Sequence, residues 1–161
     1  MGSNDNSSNF EILEYFKRSN ALDDDDYFMA VAVLYSKQCK DSNNQKGAII
    51  VDEDDCIVGV GYNYIYKCED EEQNFKVHAV ANAILNKYCD NLKKTRIYTT
   101  HFPCDQCVKL LVKSDITKIY YLSFINKTSD SYRAADLMFS AKNIECNCYT
   151  PKEKKINISR I

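Results

Sequence analysis

His78, Cys104 and Cys107 are residue types that bind zinc, and their placement suggests that they act together. Cys104 and Cys107 are separated by two residues and follow Pro103, which is tolerated at a helix start. Both thiols are then expected on one helical turn, where the helix N-terminus and a metal together favour the thiolate. Alone the pair says little, since two buried cysteines can share a helix face by chance. His78, expected in the first turn of the preceding helix, supplies a third donor. Three protein ligands leave zinc one open position, the arrangement of a catalytic rather than a structural site, because that position can hold a water made acidic by the metal.

These residues need a scaffold that brings two helix starts together. Asp23, Asp24, Asp25 and Asp26 suit a helix N-terminus, and Tyr27, Phe28, Val31, Leu34 and Tyr35 continue it at helical spacing to about Cys39. The acidic run reads as a solvated cap rather than a metal site. Residues 47–52 and 56–62 form a β-hairpin across the turn Glu53-Asp54-Asp55, residues 64–76 a loop of mixed charge, and residues 77–89 a helix with Val77, Val80, Ala81, Ile84, Leu85 and Tyr88 on its apolar face. Strand 96–100, helix 104–114, strand 118–123, helix 131–142 and strand 144–149 follow. This alternation predicts one α/β domain whose sheet is largely parallel in its second half and covered by helices on both faces. Residues 1–24 read as a polar, partly disordered segment with a short amphipathic helix at 10–19, residues 25–150 as the domain, and residues 151–161 as a basic tail.

Composition narrows the function classes. The 161 residues suit a single core, and a net charge of −2 from 21 basic and 23 acidic side chains provides no broad surface for a phosphate backbone, which argues against a nucleic-acid partner. No signal peptide or membrane-length apolar run is present, so the cytoplasm, or the nucleus, is expected. The eight cysteines then point to metal ligation and burial rather than disulfides. Cys146 and Cys148 share one face of a strand, which suits core packing, Cys39, Cys56 and Cys89 sit in apolar stretches, and Cys68 lies in a polar loop with no assigned role.

A histidine opening one unit and Pro-Cys-x-x-Cys opening the next is most of the signature of zinc-dependent nucleobase deaminases, H-x-E followed by P-C-x-x-C. With Tyr27-Phe28-Met29-Ala30-Val31-Ala32, Lys40-Asp41, Gln45, Gly47-Ala48, Ile57-Val58-Gly59, Gly61-Tyr62-Asn63, His78-Ala79, Asn82-Ala83-Ile84 and Phe102-Pro103-Cys104, the chain resembles the deoxycytidylate deaminase family over about residues 25–149. The resemblance implies a cytidine deaminase-like three-layer α/β/α fold with a central five-stranded mixed sheet, and Zn2+ on His78, Cys104 and Cys107. It implies a substrate contact at Asn63, an oligomer that is often a hexamer, and conversion of dCMP and water to dUMP and ammonia.

Three departures bear on that activity. Where the family has His-Ala-Glu, this chain has His78-Ala79-Val80, and the missing glutamate is the general acid/base rather than a ligand. His101 is the nearest substitute base by sequence, and Glu69, Asp70, Glu71 and Glu72 read as a solvated charge run. The Gly/Pro-containing loop that follows Gly-Tyr-Asn in the family is replaced by Tyr64-Ile65-Tyr66-Lys67-Cys68, and Lys46 stands where the family has an apolar residue, expected to point to solvent rather than to a phosphate. The expectation is a zinc-holding, catalytically impaired pseudo-deaminase that binds a pyrimidine deoxynucleotide or a partner. The alternatives are an active enzyme with a substitute base and a silent subunit paired with an active deaminase, as in the tRNA adenosine deaminase heterodimer, whose inactive subunit also reads His-Ala-Val.

Overall fold

Ala48 and Ile50 turn to one face of strand β1 (Gly47–Val51) and Ile49 and Val51 to the other, the two-residue period of an extended chain, and all four are fully buried. A strand apolar on both sides must lie between two layers, and it does. The computed structural model describes residues 21–67, 74–124 and 126–152. Within them β1, β2 (Ile57–Tyr62), β5 (Arg96–His101), β6 (Lys118–Ser123) and β7 (Glu145–Cys148) form one sheet in the order β2-β1-β5-β6-β7. β1 pairs antiparallel with β2 and with β5, whereas β5, β6 and β7 run parallel, so the sheet is mixed and parallel in its second half, as predicted.

Helix α1 (Asp24–Ser36) covers one face, packing Phe28, Met29 and Ala32 on Ile49, Val51 and Tyr98. Asp23 caps it by accepting from the Asp25 amide at 3.2 Å. The other face carries α2 (Ala79–Leu85), α3 (Asp105–Lys113) and α4 (Asp130–Lys142), with Val80, Ala83, Val108, Leu111, Ala135 and Phe139 over Ala48, Ile50, Ile97 and Ile119. Glycine lets α2 sit almost on the sheet. A Cβ at Gly61 would lie 2.3 Å from the Ala79 oxygen and the Ala83 nitrogen. That contact holds the start of α2 against the end of β2.

Four expectations differ from the structure. Residues 64–76 are not simply a loop, because β3 (Tyr64–Lys67) and β4 (Asn74–Val77) pair antiparallel as a separate ribbon, with Tyr64 opposite Val77. The helix expected at 77–89 shrinks to α2, because Val77 belongs to that ribbon and the Tyr88 amide bonds to the Val58 oxygen at 2.8 Å. Leu85 and Tyr88, placed on the apolar face by their spacing, are 74% and 79% exposed. Cys146 packs on the core, but Cys148, on the outermost strand, is exposed, as is Cys56, while Cys39 is buried and Cys89 partly so. The expected helix at 10–19, the run Glu69 to Glu72, Cys68 and most of the tail lie outside the described residues. Among the described residues no helix is long and apolar enough to cross a membrane.

Candidate metal centre

His78 and Cys104 hold the same post on two neighbouring helices. Each is an N-cap in extended conformation, His78 of α2 and Cys104 of α3, and neither side chain caps its own helix. Both are therefore free to face the space between the two helix starts, and Cys107, in the first turn of α3, faces it too. His78 Nδ1 lies 3.3 Å from Cys104 Sγ and 3.4 Å from Cys107 Sγ, and the three donor atoms fall within 4.8 Å of one another. Tetrahedral ligands at zinc's usual bond lengths stand about 3.6 Å apart, so the cluster has the span of a zinc site. No other group of three such donors was found among the described residues.

The electrostatics agree with ligation. The hydrogen bond with Cys107 is the largest cause holding the Cys104 thiol far below its usual range, with the His78 ring adding to it. Its partner Cys107 is pushed up, first by that shared proton and then by burial. Two thiols competing for one negative charge are the state that a dication resolves.

Asn63 is 2% exposed and holds the start of α2 in position. Its Oδ1 accepts from the Ala79 amide at 2.9 Å, and its Nδ2 donates to the Asn44 oxygen at 2.8 Å. The side chain chosen for substrate contact thus already spends one donor and one acceptor on framing the residue after His78. Asn63→Ala leaves the buried Ala79 amide and the half-buried Asn44 oxygen without this partner, with an expected stability loss of about 1–3 kcal/mol in denaturant titration. Loosening His78 should also weaken zinc binding about 10- to 100-fold in chelator competition.

A cavity of about 180 Å³ opens over the cluster, far larger than the roughly 10–15 Å³ that one water needs. Val80, 4% exposed, forms part of its wall beside Ala79. His101, at the end of β5, also lines it, its Nδ1 3.0 Å from Thr100 Oγ1 and its pKa lowered by burial and then by the Lys46 charge. Lys46 does not simply point to solvent. It is half-buried and lines the cavity, its pKa lowered by burial and then by Lys76.

Sequence reasoning missed the far wall. Asn126, Ser129, Ser131 and Tyr132 enter from the loop after β6 and the start of α4, with Phe102 stacked on Tyr132 at 4.4 Å. Ser131 Oγ donates to Asp105 Oδ1 at 2.7 Å and so ties α4 to the helix that carries Cys107. The signal available was topological: ligands gather beyond the carboxyl ends of parallel strands, here β5 and β6.

Residues 22–123 match the cytidine and deoxycytidylate deaminase zinc-binding region. The chain belongs to this family. It is 38% identical over 165 residues to a probable deoxycytidylate deaminase of Drosophila melanogaster, covering 90% of this chain and 81% of that one. It is 34% identical over 157 residues to the deoxycytidylate deaminase of Homo sapiens, covering 88% of each. The crystal structure of the dCMP deaminase from the cyanophage S-TIM5 in complex with dCMP and dUMP superposes with a TM-score of 0.60. That alignment is 21% identical over 86% of this chain and 97% of the phage chain, and it identifies the fold as cytidine deaminase-like. Zinc is the cofactor of this deaminase domain, and the His/Cys/Cys cluster fits it.

Proposed function

We propose that this family member holds zinc through His78, Cys104 and Cys107, binds a pyrimidine deoxynucleotide such as dCMP or dUMP, and does not turn it over. The observation that carries the reading is Val80, an aliphatic wall residue two positions after His78, with the donor cluster beside it complete. Zinc, when bound, would acidify water toward neutral pH. The rest of the chemistry depends on the chain. Hydrolytic deamination requires a group that accepts a proton and returns it to the ring and to the departing amine, and an isopropyl group has no proton to exchange.

His101 is the specific alternative, since it lines the same cavity. Its Nδ1 is engaged with Thr100, which leaves Nε2 as the remaining ring nitrogen, and burial followed by the Lys46 charge lowers its pKa, making it a weaker base than a free imidazole. A base and sugar fit the rest of the pocket: the Phe102–Tyr132 pair gives a flat apolar wall, and Asn63 and Asn126 supply amides. The names of the relatives, which act on deoxycytidylate, support the choice of ligand.

One preparation tests the reading. Elemental analysis should find one zinc per chain, and calorimetry on the same sample should detect dUMP binding. Protein without stoichiometric zinc, or zinc-loaded protein indifferent to both dUMP and dCMP, would overturn it.

A further inference from the structure

The lysine charge of the pocket is faced by the Cys104 and Cys107 thiols but by no described carboxylate. Its described lining contains two lysines, Lys46 and Lys76, and no carboxylate. Two thiolates and a neutral imidazole cancel the charge of a bound zinc ion, so the lysines set the fixed charge of the cavity. Neither lysine takes part in an ion pair among the described residues. Asp41 feels the charge of Lys76, but its carboxylate accepts from the Asn43 amide at 3.0 Å and from Asn44 Nδ2 at 2.5 Å.

One frame joins the two residues, Lys46 through its backbone and Lys76 through its ammonium group. Asn63 donates its backbone amide to the Lys46 oxygen at 3.0 Å and its side-chain amide to the Asn44 oxygen, while Lys76 Nζ donates to Asn44 Oδ1. Both residues line the same cavity, and the charge of Lys76 follows burial among the causes that lower the Lys46 pKa. Half-burying a lysine beside another cation is costly unless an anion joins them. A phosphate dianion, with three oxygens for two ammonium groups, is suited to that position.

We propose that Lys46 and Lys76 select a phosphorylated ligand by clasping the phosphate of a pyrimidine nucleoside monophosphate at this wall. The inference rests on the pyrimidine-binding reading and adds to it the residues that distinguish a nucleotide from a nucleoside.

Calorimetry on zinc-loaded protein tests it with three probes: dUMP, deoxyuridine and inorganic phosphate. The unmodified chain should bind dUMP at least about tenfold more tightly than deoxyuridine, as charge-assisted hydrogen bonds imply. Lys46→Met and Lys76→Met should each reduce that margin about tenfold and flatten its salt dependence, with deoxyuridine affinity and zinc content unchanged; Lys46→Arg should retain it. A margin that survives the double Met variant, no preference for dUMP, or no binding of any probe overturns the proposal. Inorganic phosphate bound in a lysine-dependent way, with both pyrimidine ligands refused, upholds the clasp and overturns the pyrimidine reading instead.

Discussion

Val80→Glu should release ammonia from dCMP about 10²- to 10⁴-fold faster than the unmodified chain, the usual worth of a positioned general acid/base. The position favours the gain. Val80 lies in the first turn of α2, two residues from His78, in the wall of the cavity over the donor cluster. A carboxylate there reaches the space where water and ligand would meet, and the cavity spares it full desolvation. Some stability must be lost, because Val80 packs among Ala83, Ala48 and Ile50, and replacing an apolar side chain with a charge commonly costs about 1–3 kcal/mol. The result to look for is ammonia release in a coupled assay, with zinc content and dUMP affinity measured on the same protein. A Glu form that binds zinc and dUMP yet stays silent would mean that Val80 is not the missing part, and would direct attention to residues 64–67, the ribbon that replaces the expected loop.

The second large effect is on stability. At free zinc about a thousandfold above its dissociation constant, metal binding adds about 4 kcal/mol to a fold that binds only when native. A chain of this size shifts its melting temperature by about 2–4 °C per kcal/mol, so chelation should lower it by about 10 °C. Cys107→Ala should produce a similar fall and then be insensitive to the chelator, because Cys107 is a buried member of the donor cluster and no other such cluster lies among the described residues. Deleting a side chain that small costs only about 1 kcal/mol by packing. A melting temperature unmoved by chelator, or a Cys107→Ala form still stabilised by zinc, would refute ligation at this cluster.

The parts of the molecule legible in the sequence are those set by neighbours along the chain. Pro103 before Cys104, and two residues between the cysteines, determine a helix start and one turn regardless of the rest of the fold. The β-rich apolar run Ala48, Ile49, Ile50 and Val51 marks the first arm of the β1–β2 hairpin, and the later alternation of strand and helix gives the parallel half of the sheet. What escaped depends on distant partners. The β3–β4 ribbon is defined by pairings such as Tyr66 with Phe75, across a stretch whose charges resemble a loop. Helix α2 ends early although Leu85 and Tyr88 keep helical spacing, because spacing marks a possible face and cannot say that nothing covers it. Lys46 was expected in solvent because lysine is rarely buried, and only the closure of Asn44, Asn63 and Lys76 around it turns it into the cavity wall. Ser129, Ser131 and Tyr132 carry no motif and reach the site through the crossover from β6 to α4.

The missing proton carrier is tested most directly by ammonia release from dCMP by the unmodified, fully zinc-loaded chain. With protein in excess over nucleotide and incubation for hours, dCMP should be recovered unchanged. Its conversion to dUMP within seconds to minutes, in proportion to the protein added, would contradict the central claim.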